Sequence, residues 1–201
     1  GIVDARSRVT ARQSLFFFFL CLLLPVRRLL GPLVTQRLVS AFLFWRLDYC
    51  NALFAGLPAS TLAPLQRVQN AAARLVIGLK YSDHITPAFI ELHWLPIKQI
   101  ITYKLCLLVY KSLNGLAPPY LTELLQPISD LPSRAALRSA TTCDLVIPGT
   151  KLGLGDRAFA VAGAREWNNL PAELRCISDI VMFKKHLKTH LFRIAFNIID
   201  F

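Results

Sequence analysis

The sequence predicts a mainly α fold: a helical hairpin or small bundle, a long Pro/Gly-rich connection, and a C-terminal helix, with a short β-strand or hairpin allowed near 143–162. Three observations predict it. Apolar residues recur at three- and four-residue spacing over most of the chain. Gly and Pro fall between those stretches and punctuate them. Hydrophobic residues make up 54% of the 201, enough to fill a core and too many for a disordered chain. The shifts in pattern divide the chain into a basic and then apolar segment (1–32), a helical domain (33–126), a loop-rich connection (127–157) and a C-terminal helical segment (158–201).

The N-terminal segment sets Arg6, Arg8 and Arg12 against a single acid, Asp4, ahead of the unbroken apolar run Leu15–Leu24 and Pro25. A basic leader and a run of this length imitate a signal peptide, but no small-residue cleavage site follows. The run is also shorter than the ~20 residues a membrane-spanning helix needs, and Arg27 and Arg28 come directly after it. A buried or degenerate segment is expected, with membrane attachment through Leu15–Leu24 as the alternative.

From Leu33 the spacing turns helical. Leu33, Leu38, Ala41, Phe42, Trp45, Tyr49 and Leu53 form the expected stripe of a first helix, closed by Gly56 and Pro58. Thr61 is expected to cap a second helix with Pro64 in its first turn. Its stripe is Leu65, Val68, Ala72, Leu75 and Val76, and Gly78 is its stop. Two helices joined this closely should form an antiparallel hairpin. Thr86-Pro87 reads as a cap and first-turn proline of a short helix ending near Glu91. Pro96 opens a longer helix to Asn114, with Ile100, Ile101, Leu105, Leu108, Val109 and Leu113 inward and Gly115 as stop. Pro118-Pro119 starts another short helix. Residues 127–157 are rich in Pro, Gly, Ser and Thr, and Leu145–Ile147 is β-prone. The last helix should start near Ser178-Asp179, with Phe183, Leu187, Leu191 and Ile194 on its inner face and Lys184, Lys185, Lys188 and Arg193 on the other.

The formal charge is +11, from 23 Lys and Arg against 12 Asp and Glu, and the mean hydropathy is +0.46. A basic surplus of that size favours polyanionic partners such as nucleic acid or an anionic surface. The cysteines are Cys21, Cys50, Cys106, Cys143 and Cys176. Their number is odd and no C-x-x-C occurs, so no zinc knuckle or redox pair can be built locally. Cys50 and Cys106 read as small core residues. This usage fits an intracellular, reducing compartment, cytoplasm or nucleus.

Most catalytic chemistry lacks its residues. Two-metal phosphoryl transfer needs clustered carboxylates, and no Asp-Asp or Asp-Glu pair occurs. His186 and His190 have zinc-binding spacing, but no acid lies between them and Lys184, Lys185 and Lys188 would repel a cation. His84 and His93 have no convincing nucleophile partner; a Cys106/His93 arrangement is the alternative, but Cys106 lies within an apolar run and reads first as core. There is no phosphate-binding Gly-rich loop. No enzyme activity and no cofactor are expected.

An ordered series of motifs carries a resemblance. RLDYCNAL (Arg46–Leu53) is followed by Gly56-Leu57-Pro58. LQRVQNAAARL (Leu65–Leu75), HITP (His84–Pro87) and LHWLPI (Leu92–Ile97) come next. Then follow Lys104-Leu105, Val109-Tyr110-Lys111, LNGLAPPYL (Leu113–Leu121), GDRAF (Gly155–Phe159), WNNLP (Trp167–Pro171) and FKKHLKTHLF (Phe183–Phe192). Together, over about residues 33–195, they resemble the region after the palm, the thumb and beyond, of vertebrate LINE-type non-LTR retrotransposon reverse transcriptases. The resemblance implies that 33–126 is thumb-like. It implies a role in holding RNA or an RNA–DNA template–primer during target-primed reverse transcription, and a partner in the palm that precedes this region in the family. The family's polymerase and endonuclease residues have no counterpart here. A thumb works through phosphate contacts, and the side chains expected to make them are Arg67, Arg74 and Lys80, then Lys184, Lys185, Lys188 and Arg193. Trp94, Tyr110 and Trp167 are able to stack on bases, but each lies among apolar residues and reads first as a core anchor.

Overall fold

A computed structural model describes residues 23, 25, 27, 29–44, 51–130, 143–153 and 155–198. The fold is mainly α. Its helices are α1 (residues 29–39), α2 (Ala59–Ile77), α3 (Thr86–Glu91), α4 (Ile97–Leu113), α5 (Pro119–Thr122), α6 (Phe159–Asn168), α7 (Ala172–Arg175) and α8 (Ile180–Phe196). A π-helical turn, Ser40–Phe44, continues α1, and a 3-10 turn, Asn51–Phe54, precedes α2. The chain divides into two compact units. Residues up to Ile100, together with those from Ala195 onward, form one, and Ile101–Ile194 form the other. This division falls inside α4 and near the end of α8, away from the connection at 127–157. The apolar run Leu15–Leu24, apart from Leu23, and the stretch Trp45–Cys50 lie outside the described residues.

In the first unit, α1 begins before residue 33, and its buried side is not the expected stripe. Thr35 and Val39 are buried, whereas Leu33 and Phe42 are exposed. The reason is compositional: Leu29, Leu30, Leu33, Val34, Leu38, Val39 and Phe42 spread apolar side chains around the helix, so periodicity singles out no face. Gly31 takes a positive φ of 72°, and the Thr35 hydroxyl donates to its carbonyl at 2.7 Å.

α2 follows its expected stripe: Leu65, Val68, Ala72, Leu75 and Val76 are all buried. It starts two residues before Thr61, however, with Pro58 at the N-cap and no side-chain cap, so Pro64 sits within the helix. The Pro58 carbonyl takes up the first amides, those of Thr61 and Leu62. The stop is at Gly78, whose φ of 87° lets its amide and that of Leu79 return to the Arg74 carbonyl. Thr86 is likewise the first residue of α3, not its cap; Ile85 precedes it without a side-chain hydrogen bond.

Two of the sequence motifs, LQRVQNAAARL and LHWLPI, meet in this unit. Gln69 is fully buried and its amide nitrogen donates to the Leu95 carbonyl at 2.8 Å. The Gln66 amide oxygen accepts the Ile97 amide at 2.9 Å, capping α4 from α2. Phe89 packs edge-on against Trp94 at 6.3 Å. Trp94 is thus a core residue.

In the second unit Tyr110 stacks on Phe183 with centroids 4.2 Å apart, and Trp167 lies against the same ring at 5.8 Å. The Tyr110 hydroxyl donates to the Ser178 carbonyl at 2.5 Å, at the turn into α8. Tyr110 and Trp167 are buried and are core anchors as well. Gly163 lets α6 approach α4; a Cβ there would meet Val109 Cγ2 at 3.0 Å. The inner face of α8 is Phe183, Leu187 and Leu191, but Ile194 is exposed.

The β-prone stretch near 143–162 forms no strand among the described residues. A single antiparallel bridge joins Pro127 and Leu145, and most of 158–162 is the start of α6. The physical reason lies in Asn168. Its side-chain amide accepts the Leu145 amide proton at 2.9 Å and donates to the Leu145 carbonyl at 2.8 Å. A side chain thus takes the hydrogen bonds that a neighbouring strand would make. In the loop before α6, Asp156 accepts from Thr150 and from Arg165, and the Thr150 hydrogen bond holds its carboxyl below the usual range.

Candidate nucleic-acid interface

The seven basic side chains expected at the interface fall into two sets, one in each unit. Arg67 and Arg74 are two helical turns apart on α2, and Lys80 lies in the loop that follows. Arg67 and Lys80 are exposed. Arg74 is half-buried and already engaged. Its Nε donates to the Lys80 carbonyl at 3.3 Å and its Nη2 to the Asp83 carbonyl at 3.1 Å. The Asp83 carboxylate in turn accepts the Lys80 amide at 2.7 Å. Arg74 therefore shapes the loop from which Lys80 projects.

Its guanidinium also lies 5.8 Å from the centre of the Tyr81 ring, a cation–π distance. Tyr81 is 94% exposed. An aromatic ring this open, flanked by Arg74 and Lys80, offers a π-face to a base. The sequence motifs do not single it out. The available signal is an aromatic in the otherwise polar run Lys80–His84, where no core demands one.

The second set lies on α8. Lys184, Lys185 and Lys188 are all exposed, on the side away from Phe183, Leu187 and Leu191; Arg193 is exposed further along the helix. The helix contains no acid. The nearest, Asp179, stands at its N-terminus, where its carboxylate accepts the Met182 amide at 2.8 Å. Like charges at i, i+4, such as Lys184 and Lys188, cost a helix about 0.2–0.5 kcal/mol per pair. This face therefore carries a small standing repulsion that a polyanion would relieve.

His190 sits between this face and the core. Partial burial, then the Arg193 charge, push its pKa below the ordinary 6.5, which favours the neutral ring. A cation site on His186 and His190 is disfavoured by the same lysines. Among the described residues no group of three or more His, Cys, Asp or Glu side chains is placed to hold a metal ion. Cys106 is fully buried, and desolvation followed by the Glu166 charge pushes its thiol far up, so it is a core residue and not a thiolate nucleophile. No described helix is long and apolar enough to cross a membrane.

Comparison of the chain with protein-family models, with curated proteins and with solved structures gave no match.

Proposed function

We propose that this chain is a non-catalytic nucleic-acid-binding protein derived from the post-palm region of a LINE-type reverse transcriptase, with an ancestral role in holding RNA or an RNA–DNA template–primer. The observation that carries the reading is the outer face of α8, where Lys184, Lys185 and Lys188 are exposed in a helix that contains no acid. Such a face suits a phosphate backbone, because each contact releases condensed counterions and needs no base sequence. The exposed Arg67, Lys80 and Tyr81 supply a second set with the same chemistry. The ordered motifs supply the descent.

The test is a salt titration of binding to a short RNA–DNA hybrid, followed by fluorescence anisotropy. Affinity should fall steeply as salt rises. In a K184A/K185A/K188A variant the slope of log affinity against log salt should shrink by about 3, roughly one per lysine replaced. All three side chains are exposed, so helix content and melting should change little. An unchanged affinity and slope would remove α8 from the reading.

A second reading, association with a membrane, draws on the exposed apolar side chains of α1, among them Leu29 at 85% and Leu33 at 60% exposure. They follow the Leu15–Leu24 run in sequence. Co-sedimentation with lipid vesicles that survives high salt, together with no hybrid binding, would favour it.

A further inference from the structure

Away from the basic faces, two thiols that lie far apart in sequence stand together. Cys143 Sγ and Cys176 Sγ are 3.7 Å apart, across a sequence separation of 33 residues. Both residues are exposed, unlike the buried Cys106. We propose that Cys143 and Cys176 are a modification site, forming a reversible intrachain disulfide on exposure to a low-molecular-weight disulfide such as oxidised glutathione.

The backbone on each side is held in place. The Cys143 carbonyl accepts the Trp167 indole N–H at 2.8 Å. The next residue, Asp144, forms an ion pair with Arg175, the residue before Cys176. Leu145 is clamped by both groups of the Asn168 amide. On the other side, the Cys176 amide closes α7 by donating to the Ala172 carbonyl at 3.1 Å. The two sulfurs must close by roughly 1.7 Å to reach the ~2.05 Å of a disulfide, a movement within the reach of side-chain rotation. Cys143 has a positive φ of 55°, uncommon for a residue with a side chain, which fits a position held by these contacts and not by its own preference.

One cation, Arg175, lies beside the pair. Burial, then the hydrogen bond and charge of Cys176, push the Cys143 thiol up, and the nearby Arg175 guanidinium opposes that rise. The same guanidinium feels both sulfurs, so it stabilises whichever thiolate forms. In the first step one thiolate of the pair attacks a sulfur of the small disulfide, forming a mixed disulfide and expelling one small thiolate. In the second, the other cysteine, deprotonated, attacks the protein sulfur of that mixed bond and expels the second. The two protein thiols are oxidised, and the small disulfide is reduced to two thiols.

The full chain is incubated with oxidised glutathione at neutral pH, alkylated, digested without reduction and mapped by mass spectrometry. A cross-linked peptide pair joining Cys143 to Cys176 is expected. It should disappear on treatment with dithiothreitol and fail to form in either C143S or C176S. Before oxidation, both thiols should alkylate in the native chain while Cys106 reacts only after unfolding, which checks that the chain is folded. Glutathione retained on Cys143 and Cys176 with no link between them, or links formed mainly between chains, would overturn the proposal.

Discussion

Asn168 holds the segment around Leu145 by replacing a strand with a side chain. Its amide makes two hydrogen bonds to one residue, at 2.9 and 2.8 Å, and Leu145 is buried. Asn168→Ala leaves a backbone N–H and a carbonyl without their partners. The expected cost is about 2 kcal/mol, read as a lower denaturant midpoint at unchanged slope. Asn168→Asp should recover little, since a carboxylate keeps the acceptor for the Leu145 amide but faces the Leu145 carbonyl with a second acceptor. If Asn168→Ala melts like the parent chain, the clamp does not hold this segment. The pairing is not legible in the sequence. Trp167-Asn168 and Leu145 are far apart along the chain, and nothing in either stretch signals that an amide side chain will complete a ladder. The Cys143–Cys176 pair escapes local reading for the same reason. So does the engagement of Arg74, which depends on how Lys80 to Asp83 turn back toward α2.

The buried face of a helix is legible in the sequence where its apolar residues gather on one side. α2 and α8 carry a single stripe, α2 has a clear stop at Gly78, and their buried residues match the pattern apart from Ile194 at the end of α8. α1 has apolar side chains on every side, and Leu33 and Phe42 of its expected stripe are exposed. The starts of α2 and α3 come three residues and one residue earlier than expected, because the Pro58 or Ile85 backbone begins the helix where a Thr side chain is the expected cap. At α8 the acidic start is legible, and Asp179 is its N-cap acceptor. This residue should supply a charge as well as a cap. It is the acid nearest a helix bearing Lys184, Lys185, Lys188 and Arg193, and its charge favours the helix N-terminus. Asp179→Ala is expected to destabilise the chain by about 1 kcal/mol, and Asp179→Asn by less, since Asn caps as well but carries no charge. Thermal melts of the two variants check this order. Equal losses would mean that the hydrogen bond is not what Asp179 supplies there.

At the scale of the whole chain, the basic groups and the acids are used differently. Exposed basic side chains stand in both compact units, Arg67 and Lys80 in one and the α8 lysines in the other. Among the described residues, five acids are engaged within the fold. Asp83 accepts the Lys80 amide, Asp144 pairs with Arg175, Asp156 accepts from Thr150 and Arg165, Glu166 accepts from Thr102, and Asp179 caps α8. Two-metal nucleotide transfer needs carboxylates converging on ions ~4 Å apart, and among the described residues no three His, Cys, Asp or Glu side chains are placed to hold a metal ion. The expected consequence is a separation of binding from chemistry. With a primed RNA template, deoxynucleotides and magnesium, the chain alone should yield no extended primer, while the same hybrid is bound in a salt-dependent way. A chelator should leave that binding intact, since Lys and Arg contact phosphate without a bridging ion. A magnesium-dependent product from the purified chain, abolished by chelation, would show that carboxylates do assemble and would overturn the non-catalytic reading while leaving the basic faces in place.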